Sequence, residues 1–257
     1  EFGGVVHRFS NFGGAHWTIN GLTIDLTMCR HEIYPSFGSL PEVHPSHISD
    51  DLRRRDFAIN AMAISIFQPT LGLLIDPFDG RGDIDSQQLQ ILHSLSWLED
   101  PTRIFRASRY SARLNFALEQ QALSSLKTCL DTITPGVELT FSRIGIELNK
   151  MLDEPNINHC FQRLNAWGVI QSWFPFWENI EFPQTCDLSY TPSRHEVQEL
   201  WWMILALAIP RDIREHYTSL IGIRADALKL ISVLQQDLPK IVLGLSAIST
   251  EKPDFEV

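Results

Sequence analysis

The stretch EDPTRIFRASRYSAR, residues 99–113, restricts the possible folds more than any other part of this sequence. Asp100 followed by Pro101 is a helix-start signal, because Asp caps helices well and Pro is tolerated at the first helical position. From there Arg103, Arg106, Arg109 and Arg113 recur at i, i+3, i+6 and i+10, which puts them on one helix face. Only Glu99 and Asp100 accompany them, at one end, so the face is poorly neutralised from within. A solvated charged face is one reading of this pattern. The other is a surface that holds an anion and reads a fixed hydrogen-bonding edge. A carboxylate only accepts hydrogen bonds and a guanidinium only donates them. Asp100 with Arg103 therefore complements the amino donor and ring-nitrogen acceptor shared by cytosine and adenine. Uracil and guanine present the opposite order and would leave groups unpaired. The remaining arginines suit a triphosphate, since forked donors match phosphate oxygens.

The N-terminal part reads as short strands. AHWTI and LTIDLTM flank Asn20-Gly21, a strong hairpin signal because that pair fits a type I′ turn. Leu22, Ile24, Leu26 and Met28 then share one face, and Thr23, Asp25 and Thr27 the other. Residues 30–50, rich in Pro, Ser and Gly and without periodicity, read as a loop. Asp50 or Asp51 can cap a helix through residues 53–66, with Phe57, Ala61 and Ile64 as its buried stripe. A basic first turn opposes the helix dipole in that reading, a cost that a bound phosphate could offset. Asp76, Pro77, Gly80 and Asp83 read as a tight structural turn. From Leu98 onward the apolar residues recur at helical spacing, with breaks at Pro135-Gly136, Pro155 and Pro192.

A chain of 257 residues that is 44% hydrophobic can bury a substantial core. Cys29, Cys129, Cys160 and Cys186 show no metal-ligand or disulfide-framework spacing and read as reduced thiols of a cytoplasmic protein. The apolar run WWMILALAI, residues 201–209, is too short to span a bilayer, so no membrane partner is expected. Trp167, Trp173, Trp177, Trp201 and Trp202 read as packing residues. A formal net charge of −10 argues against global attraction to RNA, yet the arginines cluster locally. An acidic chain with an arginine-lined cleft suits nucleotides and one RNA end.

The order of motifs resembles the class II tRNA nucleotidyltransferases, the CCA-adding enzymes and their bacterial poly(A) polymerase relatives. DDLRRRDFAINAMA (residues 50–63) is similar to that family's ribose-binding segment, IDPFDGRGDI (75–84) to its following turn, and residues 99–116 to its amino-acid template helix. FSRIGIELNKML (141–152) resembles the next helix, although Ser142 stands where the family has Glu before Arg143. The resemblance implies an α+β fold: a partial nucleotidyltransferase head of short antiparallel strands plus helices, followed by an all-helical neck and body. It implies a head over residues 1–92, a neck over 93–180 carrying the template helix, and a body over 181–257. It also implies that Arg55, Asp56, Asn60, Asp100, Arg103, Arg106 and Arg109 bind the nucleotide, with Arg55 on the nucleotide, Asp56 on the ribose hydroxyls and Asn60 as a buttress. Arg54, Glu99 and Arg143 support them, and Asp25 is the catalytic carboxylate near the metal site.

The activity so implied is addition of C, A or both to a tRNA 3′ end from CTP and ATP with Mg²⁺. The family's glycine-rich GG-x-x-RD start and the DxD that holds two metal ions have no counterpart in this sequence. Gly3-Gly4 resembles that start only superficially, and the Asp83–Asp85 pair falls after the ribose segment. The expectation is a truncated form, with Asp25 as its sole metal-ligand candidate. Poly(A) polymerase is the rival within the enzyme class. A non-catalytic nucleotide- or RNA-binding remnant is the rival outside it.

Overall fold

Three strands open the chain: β1 (Val5–Ser10), β2 (Gly14–Ile19) and β3 (Leu22–Thr27), paired antiparallel in that order. The expected hairpin is present. Asn20 and Gly21 adopt φ of 49° and 78°, and Ile19 opposes Leu22 across the turn. The register sets His7, His16 and Asp25 opposite one another on one face, and Val6, Trp17 and Ile24 on the other. The computed structural model describes residues 3–10, 14–182, 194–222 and 231, in two units, residues 1–139 and 140–257. Cys186 lies outside the described residues.

The segment expected to be a loop holds a second hairpin, β4 (Arg30–Ile33) against β5 (Glu42–Pro45). Each strand is only 4 residues long, too short for its alternation to stand out among the Pro and Ser around it. The helix expected over residues 53–66 is also corrected. Helix α1 spans Ile48–Arg53, with Asp50 and Asp51 in its first turn and Arg53 in its last. That arrangement agrees with the helix dipole, whereas a helix beginning at the arginines would oppose it. The chain then extends through Phe57, makes one 3₁₀ turn at Ala58–Asn60, and enters the two-residue strand β6 (Ala63–Ile64), paired with β7 (Leu74–Ile75). Phe57 and Ala61 are buried as expected, but Ile64 is exposed.

The turn after β7 is structural. The Asp76 carboxylate accepts from the Gly80 and Arg81 amides (2.7 and 3.0 Å), and Asp79 caps α2 (Gly80–Ser86) by accepting from the Gly82 amide at 3.3 Å. Gly80 is required by a close approach, because a Cβ there would lie 2.4 Å from the Ala58 carbonyl oxygen. β8 (Gln88–Leu89) and α3 (Ser96–Glu99) follow, then α4 (Arg103–Leu114), β9 (Ala117–Leu118) and α5 (Gln120–Thr132). β8 and β9 pair in parallel. Beneath them Phe57, Trp97, Phe105 and Leu126 are fully buried, and the Trp97 indole donates to the Ala122 carbonyl at 2.9 Å. Burial pushes the Cys129 thiol, which contacts the Trp97 carbonyl, up to about 12.

The second unit is helical among its described residues: α6 (Phe141–Leu152), α7 (Ile157–Ala166), α8 (Val169–Trp173), α9 (Arg194–Ala208) and α10 (Arg211–Ile221). α6 packs on α10 so closely that a Cβ on Gly145 would lie 1.8 Å from the Ile221 carbonyl oxygen. Of the five tryptophans read as packing residues, Trp173, Trp177, Trp201 and Trp202 are buried in this unit and Trp167 is half-buried. Among the described residues no helix is long and apolar enough to cross a membrane.

Asp83 carries a pH signature. Its carboxylate accepts from the Gln90 amide at 3.2 Å, but burial, with Asp79, Asp76 and Glu119 nearby, pushes it from 3.8 up to about 6. The folded chain therefore keeps a proton that the unfolded chain releases. The stability this adds is full below 3.8 and is lost as pH rises through about 6. Asp83→Asn should remove the loss. Its urea midpoint should gain on the parent's by about 1–3 kcal/mol equivalent between about pH 4 and pH 7.5. A gap that stays constant with pH would refute this origin.

Candidate nucleotide site

The residues of the arginine-rich segments converge on one cleft of about 670 Å³ in the first unit. β4 contributes Arg30 and Glu32, the end of α1 contributes Arg54 and Arg55, and the 3₁₀ segment contributes Asp56 and Asn60. Asp100, Arg103, Arg106 and Tyr110 come from the start and inner face of α4, with Gly14, Thr27, Met28 and Tyr34 completing the lining. Arg54, Arg55, Asp56, Asn60, Asp100, Arg103 and Arg106 are thus brought together from segments far apart in sequence.

Two carboxylates organise the near wall. Asp51, 5% exposed, accepts from Arg54 Nε and Nη2 (3.0 and 2.6 Å), from Arg55 Nη2 (3.1 Å) and from the Arg30 amide (3.3 Å). Burial alone would raise this carboxyl, but Arg54 and Arg55 outweigh it and hold it below its ordinary value. Glu32 accepts from Arg30 Nη2 (2.8 Å), Arg54 Nη1 (3.2 Å) and the Tyr34 hydroxyl (3.0 Å). Burial, then the Glu32 charge working against Arg103, drives the Tyr34 phenol far above its ordinary range. Arg55 also donates to the Asn60 carbonyl (3.1 Å), and its buried Nε has no acceptor among the described residues.

Asp56 is held on both oxygens. Oδ1 accepts from the Phe57 amide and the Asn60 amide group, each at 3.0 Å. Oδ2 accepts from Arg106 Nε and Nη2, at 2.7 and 2.6 Å. A ligand hydroxyl reaching Asp56 has to share or displace one of these donors. Arg106 lies over the Tyr110 ring, which meets Phe57 edge-on at 5.8 Å.

The start of α4 differs from the expected cap. The helix begins at Arg103, with Asp100 extended and its Oδ1 accepting from the Thr102 amide and hydroxyl (3.1 and 2.6 Å). That bond turns the chain two residues later than Asp-Pro alone predicts. Arg103 is 4% exposed. Its Nη1 donates to Ser96 Oγ at 2.7 Å and the Ser96 carbonyl at 3.3 Å, and Nη2 to the Arg54 carbonyl at 2.9 Å. Since Arg54 is the C-cap of α1, the Arg103 guanidinium also closes that helix end.

The other expected residues lie elsewhere. Arg109 is half-buried on α4 and outside the cleft lining, and Glu99 faces His93 at 3.3 Å. Arg143 is in the other unit, on α6. Asp25 is 69% exposed and pairs with His16 Nδ1 at 2.5 Å. It shares its strand face with Thr27, which does line the cleft. Among the described residues no three His, Cys, Asp or Glu side chains are grouped to hold a metal ion. Sequence reasoning missed Arg30, Glu32, Tyr34 and Tyr110. The first three recur at i, i+2 and i+4, a strand alternation that a run of only 4 strand residues makes weak. A cleft of about 690 Å³ in the second unit is lined by asparagines and Glu178 and Glu181, without arginine or lysine, and does not suit an anion.

The first unit thus carries an arginine-lined cleft between short strands and a helical segment. Residues 1–90 match the Poly A polymerase head domain. The similarity continues past it, to tRNA nucleotidyltransferases. The chain is 37% identical over 172 residues to an A-adding tRNA nucleotidyltransferase of Halalkalibacterium halodurans, covering 66% of this chain and 40% of that protein. It is 44% identical over 126 residues to the A-adding enzyme of Aquifex aeolicus, covering 49% of this chain and 15% of that protein. A solved CCA-adding enzyme in an apo form superposes with a TM-score of 0.76 at 28% identity, covering 96% of this chain and 60% of that one. The chain thus spans less than half the length of these two curated relatives.

Asp51→Ala should expose what the near wall depends on. Removing the acid leaves Arg54 and Arg55 facing each other without their shared anchor, at a cost of about 3 kcal/mol. Urea denaturation at neutral pH measures it. A change within about 0.5 kcal/mol would mean that the arginines are held by other contacts.

Proposed function

We propose that this chain selects and positions nucleotides for a tRNA nucleotidyltransferase, which adds C, A or both to the tRNA 3′ end from CTP and ATP with Mg²⁺. The observation that carries the reading is the cleft wall, where an acceptor, Asp100, and a donor, Arg103, stand beside Arg55 and Arg106. The pair suits the edge common to cytosine and adenine, and the other guanidiniums suit phosphate oxygens. The buried Nε of Arg55 supports an acceptor arriving from outside the chain.

In this reading Arg55 contacts the nucleotide, Asp56 the ribose hydroxyls, and Asn60 buttresses Asp56. Arg106 faces the phosphates from the cleft wall, while Arg54 and Glu99 support it. Asp25 is the carboxylate that serves the metal site from the strand face beside the cleft. The described residues do not by themselves make up a two-ion site, so the steps assigned to them are binding and orientation. The head, neck and body divide at residues 92 and 180, and the setting is the cytoplasm. The names of the relatives support tRNA as the partner. The description of the matched head domain favours a second reading, poly(A) polymerase, which would take ATP and refuse CTP.

Titration calorimetry with the four ribonucleoside triphosphates tests the reading. Asp100→Ala should weaken CTP and ATP alike, by about ten-fold, because one acceptor serves both bases. Loss of only one of the two would count against a shared edge, and loss of ATP alone would favour the poly(A) reading. Asp56→Ala should cut the preference for ATP over dATP by about three- to ten-fold. If the variant keeps that preference, Asp56 serves only to anchor Arg106.

A further inference from the structure

We infer that Ser96 and Thr102 are positioning residues for base selection, the first fixing the Arg103 guanidinium and the second the Asp100 carboxylate. The inference rests on the base-edge reading above and deepens it. An acceptor and a donor distinguish cytosine and adenine from uracil and guanine only if their order along the edge is fixed. A carboxylate and a long guanidinium that were free to swing could exchange places and satisfy the reversed edge equally well. Specificity then depends on what prevents that exchange.

The cleft supplies two restraints. Ser96 is fully buried, and its hydroxyl and carbonyl oxygens both take hydrogen bonds from Arg103 Nη1 while Nη2 is held by the Arg54 carbonyl. The guanidinium plane is therefore set before a ligand arrives, with Nε and the second Nη2 hydrogen not engaged by these bonds. Across from it, Thr102 donates through its amide and hydroxyl to the same Asp100 oxygen, which fixes the rotation of that carboxylate. Thr102 is itself 8% exposed, so neither anchor is loosened by solvent. No part of this geometry is needed to hold the triphosphate, which falls to the other arginines.

Binding of CTP, UTP and inorganic tripolyphosphate to the 257-residue chain separates the possibilities. Ser96→Ala and Thr102→Val should each lower the preference for CTP over UTP by about five- to thirty-fold. Tripolyphosphate affinity should stay at the parent value, and Thr102→Ser should restore the preference. Thr102→Val changes shape least and decides the matter alone should Ser96→Ala lose its fold. An unchanged CTP-over-UTP preference in Thr102→Val, alongside a loss in Asp100→Ala, overturns this inference and leaves the base-edge reading standing. A parent chain that binds CTP and UTP equally, or an Asp100→Ala variant that keeps the preference, overturns both.

Discussion

Two buried carboxylates, Asp51 and Asp56, hold the arginine-rich wall of the cleft in place. Guanidiniums gathered around one space repel each other, and the chain tolerates the gathering because each acid is shared. Asp51 joins Arg54 to Arg55 at the end of α1, and Asp56 joins that segment to Arg106 on α4. The acids take up part of the positive charge and fix its direction. A surface patch of the same arginines would be mobile and screened. Half-buried and hydrogen-bonded at both ends, these side chains present donors in set positions, which an anion site needs if it is also to orient what it binds.

The lattice stands on an apolar layer. Phe57 follows Asp56 directly, and its ring lies against Trp97 and Tyr110, at 6.0 and 5.8 Å. The residue that anchors the segment in the core therefore adjoins the residue that reaches α4. Gly80 adds a second tether by letting α2 approach the carbonyl of Ala58. This explains why residues 54–61 are irregular. A continuous helix would have buried Phe57 and Ala61 on one stripe and turned the arginines away along the other side.

The sequence made parts of this plain and hid others for physical reasons. Asn20-Gly21 announced its turn because few residue pairs accept two positive φ angles in succession. The Arg103–Arg113 period marked a helix because its spacing leaves no alternative. The arginines at 53–55 misled, since Asp50 and Asp51 can begin a helix on either side of them, and only the dipole argument favours the shorter one. Arg30 and Glu32, in a strand too short to declare itself, and Tyr34 just past its end were hidden among prolines and serines. The grouping of Asp56 with Arg106 and of Ser96 with Arg103 depends on tertiary placement, which no local pattern encodes. The match to the Poly A polymerase head domain over residues 1–90 agrees with the family resemblance of the motifs.

The parallel pairing of β8 with β9 has a consequence for α4. The Ala117 and Glu119 amides bond back to the Gln87 and Leu89 carbonyls, at 3.0 and 3.1 Å, just beyond the helix's carboxyl end. The Ser111 hydroxyl bonds the Phe116 carbonyl there as well, while the amino end is pinned through Asp100 and Arg103. Residues 88–118 thus form a closed loop in which the helix is one side, clamped at both ends. Such a helix cannot fray from one terminus. It opens only when the loop opens, so a local loosening of the cleft-lining side chains requires the cooperative release of the whole circuit.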